Sequence, residues 1–214
     1  GSGVFTGHDN IPEAAGDFLQ GVTPLTLADG TLGVALSWHN ADNGVQLLRV
    51  PVDPVAEQWG WESISPDSLD EGLSAGDIDG DGDEDLAVVN IESDDVSVLI
   101  NNGDGTFQRA VNYGAGDNPS SVAIGDLNGD EKSDLAVANQ YDDNVSVLFG
   151  KGDGSFQSAV TYGAGGGPSS VAISDLNGDA NPDLVVANRY SRNVSVLLSN
   201  GDGSFRKRGE LKSQ

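Results

Sequence analysis

A repeat of 49 residues runs through most of this chain and limits the folds available to it. Three landmarks recur at that interval without insertion. An acidic loop begins at Asp77, Asp126 and Asp175; the triplet Val-Ser-Val begins at Val96, Val145 and Val194; a Gly-Asp-Gly turn leads into Phe107, Phe156 and Phe205. Periods of roughly 40–50 residues are typical of propeller blades and other repeat arrays. The coils of a β-helix are much shorter, and the fixed Leu positions of leucine-rich repeats are absent.

Each repeat contains four short apolar runs separated by turn residues. In the copy that begins near residue 118, these runs are 121–124, 135–138, 145–149 and 156–162. Gly, Asn and Asp between the runs favour the positive φ angles of tight hairpins. A four-stranded meander that is repeated around an axis is the blade of a β-propeller. The sequence therefore predicts an all-β fold, a β-propeller built of four-stranded antiparallel blades.

About four blades are expected, in a single domain over residues 21–214, because no Pro-rich or Ser-rich linker separates the repeats. The first blade has no acidic loop, but its apolar runs and its Asn-Gly and Asp-Gly turns keep the rhythm of the others. Residues 1–20 fit no strand pattern and are predicted to form a leader or an arm. The predicted blades span approximately 21–66, 71–116, 118–165 and 167–210.

The charge of the chain favours cations as partners. Asp and Glu number 34 against 10 Lys and Arg, a formal net charge of -24. Such a surface repels the phosphates of nucleic acids and anionic lipids, so we expect neither nucleic-acid binding nor membrane insertion. No run of about 18 apolar residues predicts a membrane-spanning helix. The absence of cysteine excludes disulfides, thiolate zinc sites and cysteine nucleophiles.

Oxygen-bearing side chains alternate in the three acidic loops, which we name loop 1 (77–85), loop 2 (126–134) and loop 3 (175–183). Side chains at loop positions 1, 3, 5 and 9, with the backbone carbonyl at position 7, can surround one centre. Hard oxygen donors without His or thiolate favour Ca²⁺. We therefore predict about three calcium sites. The candidate ligands are Asp77, Asp79, Asp81, Asp83 and Asp85; Asp126, Asn128, Asp130, Lys132 and Asp134; and Asp175, Asn177, Asp179, Asn181 and Asp183.

The EF-hand is the main alternative for these loops, because it opens with the same pattern. It requires an acidic residue at position 12 and helices on both sides. Position 12 is Val88, Val137 and Val186, each within a run that predicts a strand, so the EF-hand is excluded. Loop 1 has carboxylates at all four of positions 1, 3, 5 and 9, against three in each of loops 2 and 3, and it has Gly at position 6, where loops 2 and 3 have Glu131 and Ala180. Loop 1 is therefore predicted to bind Ca²⁺ most tightly.

The pattern D-x-[DN]-G-D-x-x-x-D-L between two strands resembles the FG-GAP/VCBS repeats of bacterial surface proteins and of integrin alpha-subunit propellers. The resemblance covers residues 72–205 closely and residues 20–70 only by rhythm. It implies that each loop joins the first two strands of a blade and binds Ca²⁺, in propellers of usually about seven blades. It further implies a secreted or cell-surface protein that acts in adhesion or ligand binding.

No catalytic constellation is visible, because His8 and His39 have no Ser, Cys or Lys partner in the sequence pattern. We expect no enzyme but a module with structural calcium and a protein or glycan ligand. Two alternatives stay open, a lectin-like carbohydrate-binding module and a polysaccharide lyase or hydrolase on a propeller scaffold. Trp59 and Trp61 share one face of a predicted strand and can either stack on a sugar or fill the core.

The number of blades raises the question of ring closure. Four blades are about half of the family's usual ring, and an open half would expose two apolar blade faces. The chain closes as a four-bladed ring, or two copies form a homodimer with eight blades, or the remaining blades belong to a longer protein. The constant repeat spacing implies one wedge angle per blade, which favours the homodimer.

Overall fold

The computed structural model describes residues 19–27, 30–38, 45–49, 60–65 and 70–212. These residues contain sixteen strands in four antiparallel sheets, and each sheet is a meander whose strands follow chain order. The prediction of an all-β propeller with four-stranded blades is confirmed. In the described part of the chain, no helix is long and apolar enough to cross a membrane.

The strands have the following bounds. Blade 1 contains β1 (Leu19–Thr26), β2 (Leu32–Trp38), β3 (Val45–Arg49) and β4 (Gly60–Ser65). Blade 2 contains β5 (Asp70–Gly76), β6 (Asp85–Asn90), β7 (Asp95–Leu99) and β8 (Val111–Gly114). Blade 3 contains β9 (Pro119–Gly125), β10 (Asp134–Asn139), β11 (Asn144–Leu148) and β12 (Val160–Gly163). Blade 4 contains β13 (Pro168–Ser174), β14 (Asp183–Asn188), β15 (Asn193–Ser199) and β16 (Phe205–Lys212).

Two predictions from the sequence about where strands begin and end are wrong. Strand β1 begins at Leu19, so the last two residues of the expected leader are in the first blade. The run over 156–162 is not one strand, because Phe156 forms only an isolated bridge with Gly150 and β12 begins at Val160. A Cβ on Gly150 would lie 2.1 Å from the Ser133 carbonyl oxygen, so this bridge position has no room for a side chain.

The core lies between the blades. Successive strand residues alternate between the two faces of a sheet. In β10, Leu135 and Val137 pack with residues of blade 2, whereas Ala136 and Ala138 pack with residues of blade 4. A middle strand is therefore buried on both faces, which explains why its sequence is continuously apolar. A third cluster joins blades 1 and 2, so each pair of consecutive blades shares one cluster.

Aromatic contacts reinforce two of these junctions. Tyr113 of blade 2 packs edge-to-face on Phe156 of blade 3, with ring centroids 5.2 Å apart, and Tyr162 packs in the same way on Phe205 of blade 4. The Tyr162 hydroxyl also donates a hydrogen bond of 3.0 Å to the Gly203 carbonyl. Among the described strands, extensive contacts join only blades that are consecutive in the chain. The four blades therefore form an arc.

Candidate metal centre

The three acidic loops lie at one end of the blades. Each loop connects the first strand of its blade to the second, and all blades have the same strand order, so the loops project from the same end. Loop 1 follows β5 and runs into β6, with Asp77 just after the first strand and Asp85 at the start of the second. Loops 2 and 3 occupy the corresponding connections of blades 3 and 4.

The aspartate at position 9 is an internal anchor in all three loops. Asp85 is fully buried, and its carboxylate accepts hydrogen bonds of 2.8 Å from the amides of Ile78 and Asn101. Asp134 and Asp183 are equally buried and accept the corresponding pairs of amides. Burial raises the pKa of Asp85 and of Asp134 to about 6, although the hydrogen-bonded amides oppose this shift. Position 9 therefore ties each loop to the end of the third strand.

The aspartate at position 1 organises the loop from its centre. In loop 2, the carboxylate of Asp126 accepts the amides of Gly129 at 2.7 Å and Glu131 at 2.9 Å. Asp77 and Asp175 accept the corresponding amides in loops 1 and 3. The side chains at positions 3 and 5 accept the amide two residues later, so the amides at position 7, which belong to Asp83, Lys132 and Asn181, all donate to position 5.

The left-handed turn at position 6 is present in all three loops. The φ angle is +96° at Gly82, +63° at Glu131 and +67° at Ala180. A left-handed conformation costs a residue with a Cβ about 1–2 kcal/mol. Loops 2 and 3 thus keep the turn of loop 1 at a cost in strain, although they have no glycine at this position.

Loop 1 has the geometry of a cation site. Carboxylate oxygens of Asp77, Asp79 and Asp85 all lie within 4.8 Å of one another, and no other group of three acidic or His side chains does so among the described residues. Two oxygens that share one Ca²⁺ at about 2.3–2.6 Å each are at most about 5 Å apart, so the spacing fits this ion. Burial raises the pKa of Asp79, and the neighbouring Asp81 and Asp77 carboxylates raise it further. Asp81 itself is exposed and outside the group.

Loops 2 and 3 have built-in positive charges beside them. The ammonium group of Lys132 lies 3.3 Å from a carboxylate oxygen of Asp130, and both side chains are partly exposed. In loop 3, hydrogen bonds from Asn181 and Asn177 lower the pKa of Asp179, and the charge of Arg206 adds to this effect. Lys132 was a sequence candidate only for its carbonyl oxygen. The positive charge at position 7 of loop 2 was the sequence signal for this ion pair.

Loop 1 also contacts the following blade. The Ser133 hydroxyl, at the end of loop 2, donates a hydrogen bond of 2.6 Å to the Asp77 carbonyl. The glycine turn of blade 3 lies against the loop, because a Cβ on Gly154 would lie 3.7 Å from the Cβ of Asp79. In the same way, Gly203 of blade 4 lies against Asn128 of loop 2. Loops 1 and 2 therefore lie at junctions with the next blade. Loop 3 belongs to blade 4, the last of the described blades, and has no such junction there.

Two segments of the chain, residues 77–137 and 126–186, each match the family model described as an FG-GAP-like repeat. The matches begin at loops 1 and 2 and together cover just over half of the chain. The chain belongs to the FG-GAP-like repeat family. The second match ends beyond loop 3, so all three acidic loops are within the FG-GAP-like region.

Solved structures share the fold of this FG-GAP-like chain. A putative 6-phosphogluconolactonase from Bacteroides fragilis is 16% identical, with a TM-score of 0.69 over 92% of this chain and 55% of its own. An Agrocybe aegerita lectin that recognises non-reducing terminal N-acetylglucosamine is 21% identical, with a TM-score of 0.59 over 92% of this chain and 51% of its own. The chain thus spans just over half the length of both, and the likeness shows the fold. No curated protein sequence matches the chain.

Of the tryptophan and histidine residues considered as functional candidates, the structure describes only one. Trp61 lies in β4 opposite Leu48, whereas Trp59, His8 and His39 lie outside the described residues. Tyr141 and Tyr190 are not among the residues that the sequence motifs indicate, and they are exposed at the turn between the second and third strands of blades 3 and 4. Because strands alternate in direction, these turns are at the opposite end from the acidic loops. Their spacing of one repeat was the signal that could have identified them.

Proposed function

We propose that this chain is a calcium-binding, non-enzymatic β-propeller module of a secreted or cell-surface protein that acts in adhesion or ligand binding. The observation that carries the proposal is the group of three carboxylates formed by Asp77, Asp79 and Asp85 within an FG-GAP-like repeat. These three side chains would hold the ion, and its charge would offset the repulsion among them. The extracellular setting is an inference from the family, whose adhesive propellers bind Ca²⁺.

The position of loop 1 supports a structural role for the ion. Asp85 connects the loop to the segment that follows β7 through the Asn101 amide, and the Asp77 carbonyl accepts a hydrogen bond from the Ser133 hydroxyl of blade 3. The cluster of three carboxylates is thus linked to two blades. An ion held there stabilises the hairpin and the junction between blades 2 and 3 together.

Thermal unfolding tests this role. Ca²⁺ at a hundred times its Kd stabilises a folded protein by about 2.7 kcal/mol per independent site. We expect a higher Tm in millimolar Ca²⁺ than in excess chelator, measured by circular dichroism at equal ionic strength with Mg²⁺ as the control ion. Equal melting temperatures in Ca²⁺ and chelator would contradict the structural role.

Calcium titration of single variants tests the order of the sites. Asp79→Ala should cause the largest loss of affinity, because Asp79 belongs to the one carboxylate group of this spacing in the described chain. Asp130→Ala and Asp179→Ala should cause smaller losses, because Lys132 and Arg206 already provide positive charge near these residues. Asp104→Ala is the control, as an exposed turn aspartate outside the loops. The order is wrong if Asp79→Ala has the least effect.

The exposed tyrosines favour a second candidate function, glycan binding. Tyr141 and Tyr190 present aromatic surface one repeat apart at the end of the blades that lacks the acidic loops. A tyrosine side chain combines an apolar ring face with a polar hydroxyl, and this combination suits the binding of sugars. A glycan array should lose signal with Tyr141→Ala and Tyr190→Ala but not with Val160→Ala. Turnover in a screen of acidic polysaccharides would instead support the lyase or hydrolase alternative.

A further inference from the structure

The arc ends in two apolar blade faces, one on blade 4 and one on blade 1. The interior clusters pair blades 1 with 2, 2 with 3 and 3 with 4, which leaves the outer face of each end blade without a blade against it in the described chain. The question is which surface fits these two faces.

The free face of blade 4 repeats the residues that blades 2 and 3 bury. Leu176, at position 2 of loop 3, corresponds to Leu127 and Ile78 in loops 2 and 1. Leu127 is 0% exposed because it packs against blade 4, whereas Leu176 is 47% exposed. The strand residues of this face are likewise more exposed than their counterparts in blades 2 and 3; they are Val185, Ala187, Val194 and Val196.

The free face of blade 1 repeats the opposite half of the same junction. Val22 pairs with Leu36, and Val34 pairs with Leu48. The corresponding pairs in blade 2 are Leu73 with Val88 and Leu86 with Leu99, of which Leu86, Val88 and Leu99 are buried against blade 1. In blade 1 these positions are all aliphatic, and Val22 is 57% exposed. Blade 1 therefore carries the residues that would receive the free face of a blade such as blade 4.

We propose that two copies of this chain associate head to tail, with the free face of blade 4 in each copy packed on the free face of blade 1 in the other. Both halves of the junction exist in one chain, and among its described strands no extensive contacts join blade 1 to blade 4. The chain superposes 92% of itself on just over half of longer propeller-like chains, so its four blades curve like part of a larger ring. A second copy closes that ring at eight blades under a two-fold axis.

The inner strands give the new junction a specific contact. A Cβ on Gly76 would lie 3.6 Å from the Cβ of Ile124 in the next blade, and a Cβ on Gly125 would lie 3.1 Å from Cδ1 of Ile173. One repeat further, Ser174 takes the place of Gly125. The registers place Pro24 in blade 1 where blade 2 has Ala75 and blade 3 has Ile124. Ser174 of one copy therefore meets Pro24 of the other, and both are exposed in the single chain.

Mass measurement is the first test. Sedimentation equilibrium in Ca²⁺ should show a dimer of twice the 22.0 kDa chain mass. Leu176→Asp and Val22→Asp each place a charge in one free face and should shift the protein to monomer. Val111→Asp is the matched control, because Val111 is similarly exposed but lies in blade 2. A wild-type monomer up to near-millimolar concentration would overturn the proposal, and so would a dimer that Leu176→Asp and Val22→Asp leave intact.

Cross-linking tests the head-to-tail arrangement. Because the chain has no cysteine, any disulfide must form between the introduced residues. Mixed Ser174→Cys and Pro24→Cys chains should form a disulfide-linked dimer, since the expected Cβ separation of about 3.5–4.5 Å suits a disulfide. Each variant alone should stay unlinked, as should Ser174→Cys mixed with the exposed control Ser158→Cys. The double variant should stop at two chains. Self-linking of Ser174→Cys would overturn the arrangement, and a ladder of larger species would overturn the closed ring.

Discussion

Truncation of the leucine at position 2 of the acidic loops should destabilise the protein by very different amounts in loops 2 and 3. Leu127 is fully buried in a cluster that contains Leu184 and Val186 of blade 4. Leu176 has the same place in the repeat, but its side chain is nearly half exposed. Leu127→Ala and Leu176→Ala are therefore a matched pair. The residue type and its position in the loop are the same, and the main difference is the presence of a neighbouring blade.

The expected magnitudes follow from this difference in burial. A buried Leu→Ala substitution costs about 2–5 kcal/mol, because it removes apolar contact and leaves a cavity. We expect Leu127→Ala to lower the free energy of unfolding by about 3 kcal/mol. For a chain of this size, Tm changes by about 2–4 °C per kcal/mol, so Tm should fall by about 6–12 °C. Leu176→Ala leaves no enclosed cavity in the single chain and should cost less than about 1 kcal/mol.

Urea unfolding followed by tryptophan fluorescence measures both values. The protein should be dilute enough to be monomeric, and equal m-values among variants would validate the comparison. Equal losses for the two variants would refute the reasoning that blade 4 covers Leu127 and leaves Leu176 free. Repetition at high concentration adds a check, because the cost of Leu176→Ala should rise if a second copy covers this face.

Three further predictions concern strain, a junction hydrogen bond and pH. Glu131→Gly should raise the free energy of unfolding by about 0.5–1 kcal/mol in urea, because Gly adopts the left-handed φ of +63° without strain; no gain would contradict this. Tyr162→Phe should cost about 1 kcal/mol, since its hydroxyl donates at 3.0 Å, and Tyr113→Phe should cost less, since its distance is 3.5 Å. Without metal, the native state holds protons on Asp85 and Asp134 up to about pH 6, whereas the unfolded state releases them near the ordinary pKa of 3.8. The free energy of unfolding in chelator should therefore fall as the pH rises from about 4 to about 6. A rise over this pH range would contradict the burial of these two carboxylates.

Much of the fold was predictable because it depends on local pattern. Tight turns require Gly, Asn or Asp, and strands buried on both faces require continuous apolar residues, so the 49-residue repeat predicts the blades. Blade 1 follows the same rule without an acidic loop, and its second and third strands begin at the apolar residues Leu32 and Val45. The acidic loops were equally visible, although calcium binding there stays a prediction.

The roles within the loops were less predictable. The sequence treats positions 1, 3, 5 and 9 as equivalent oxygen donors. The structure distinguishes them, because Asp85 is buried with both oxygens hydrogen-bonded to amides whereas Asp81 is exposed. This difference arises from Asn101, two residues beyond the third strand, which is sixteen residues from Asp85 in the chain but adjacent to it in the blade.

The sequence by itself determined the repeat, the blade and the candidate ligands, because each depends on residues within one unit of 49. Only the tertiary structure decided what surrounds each copy of that unit. Leu127 and Leu176 have the same local sequence, and the first is buried while the second is exposed, because a blade packs against the first and no blade of the described residues packs against the second. Burial is a property of neighbours, and the neighbours of a repeat depend on its place in the arc.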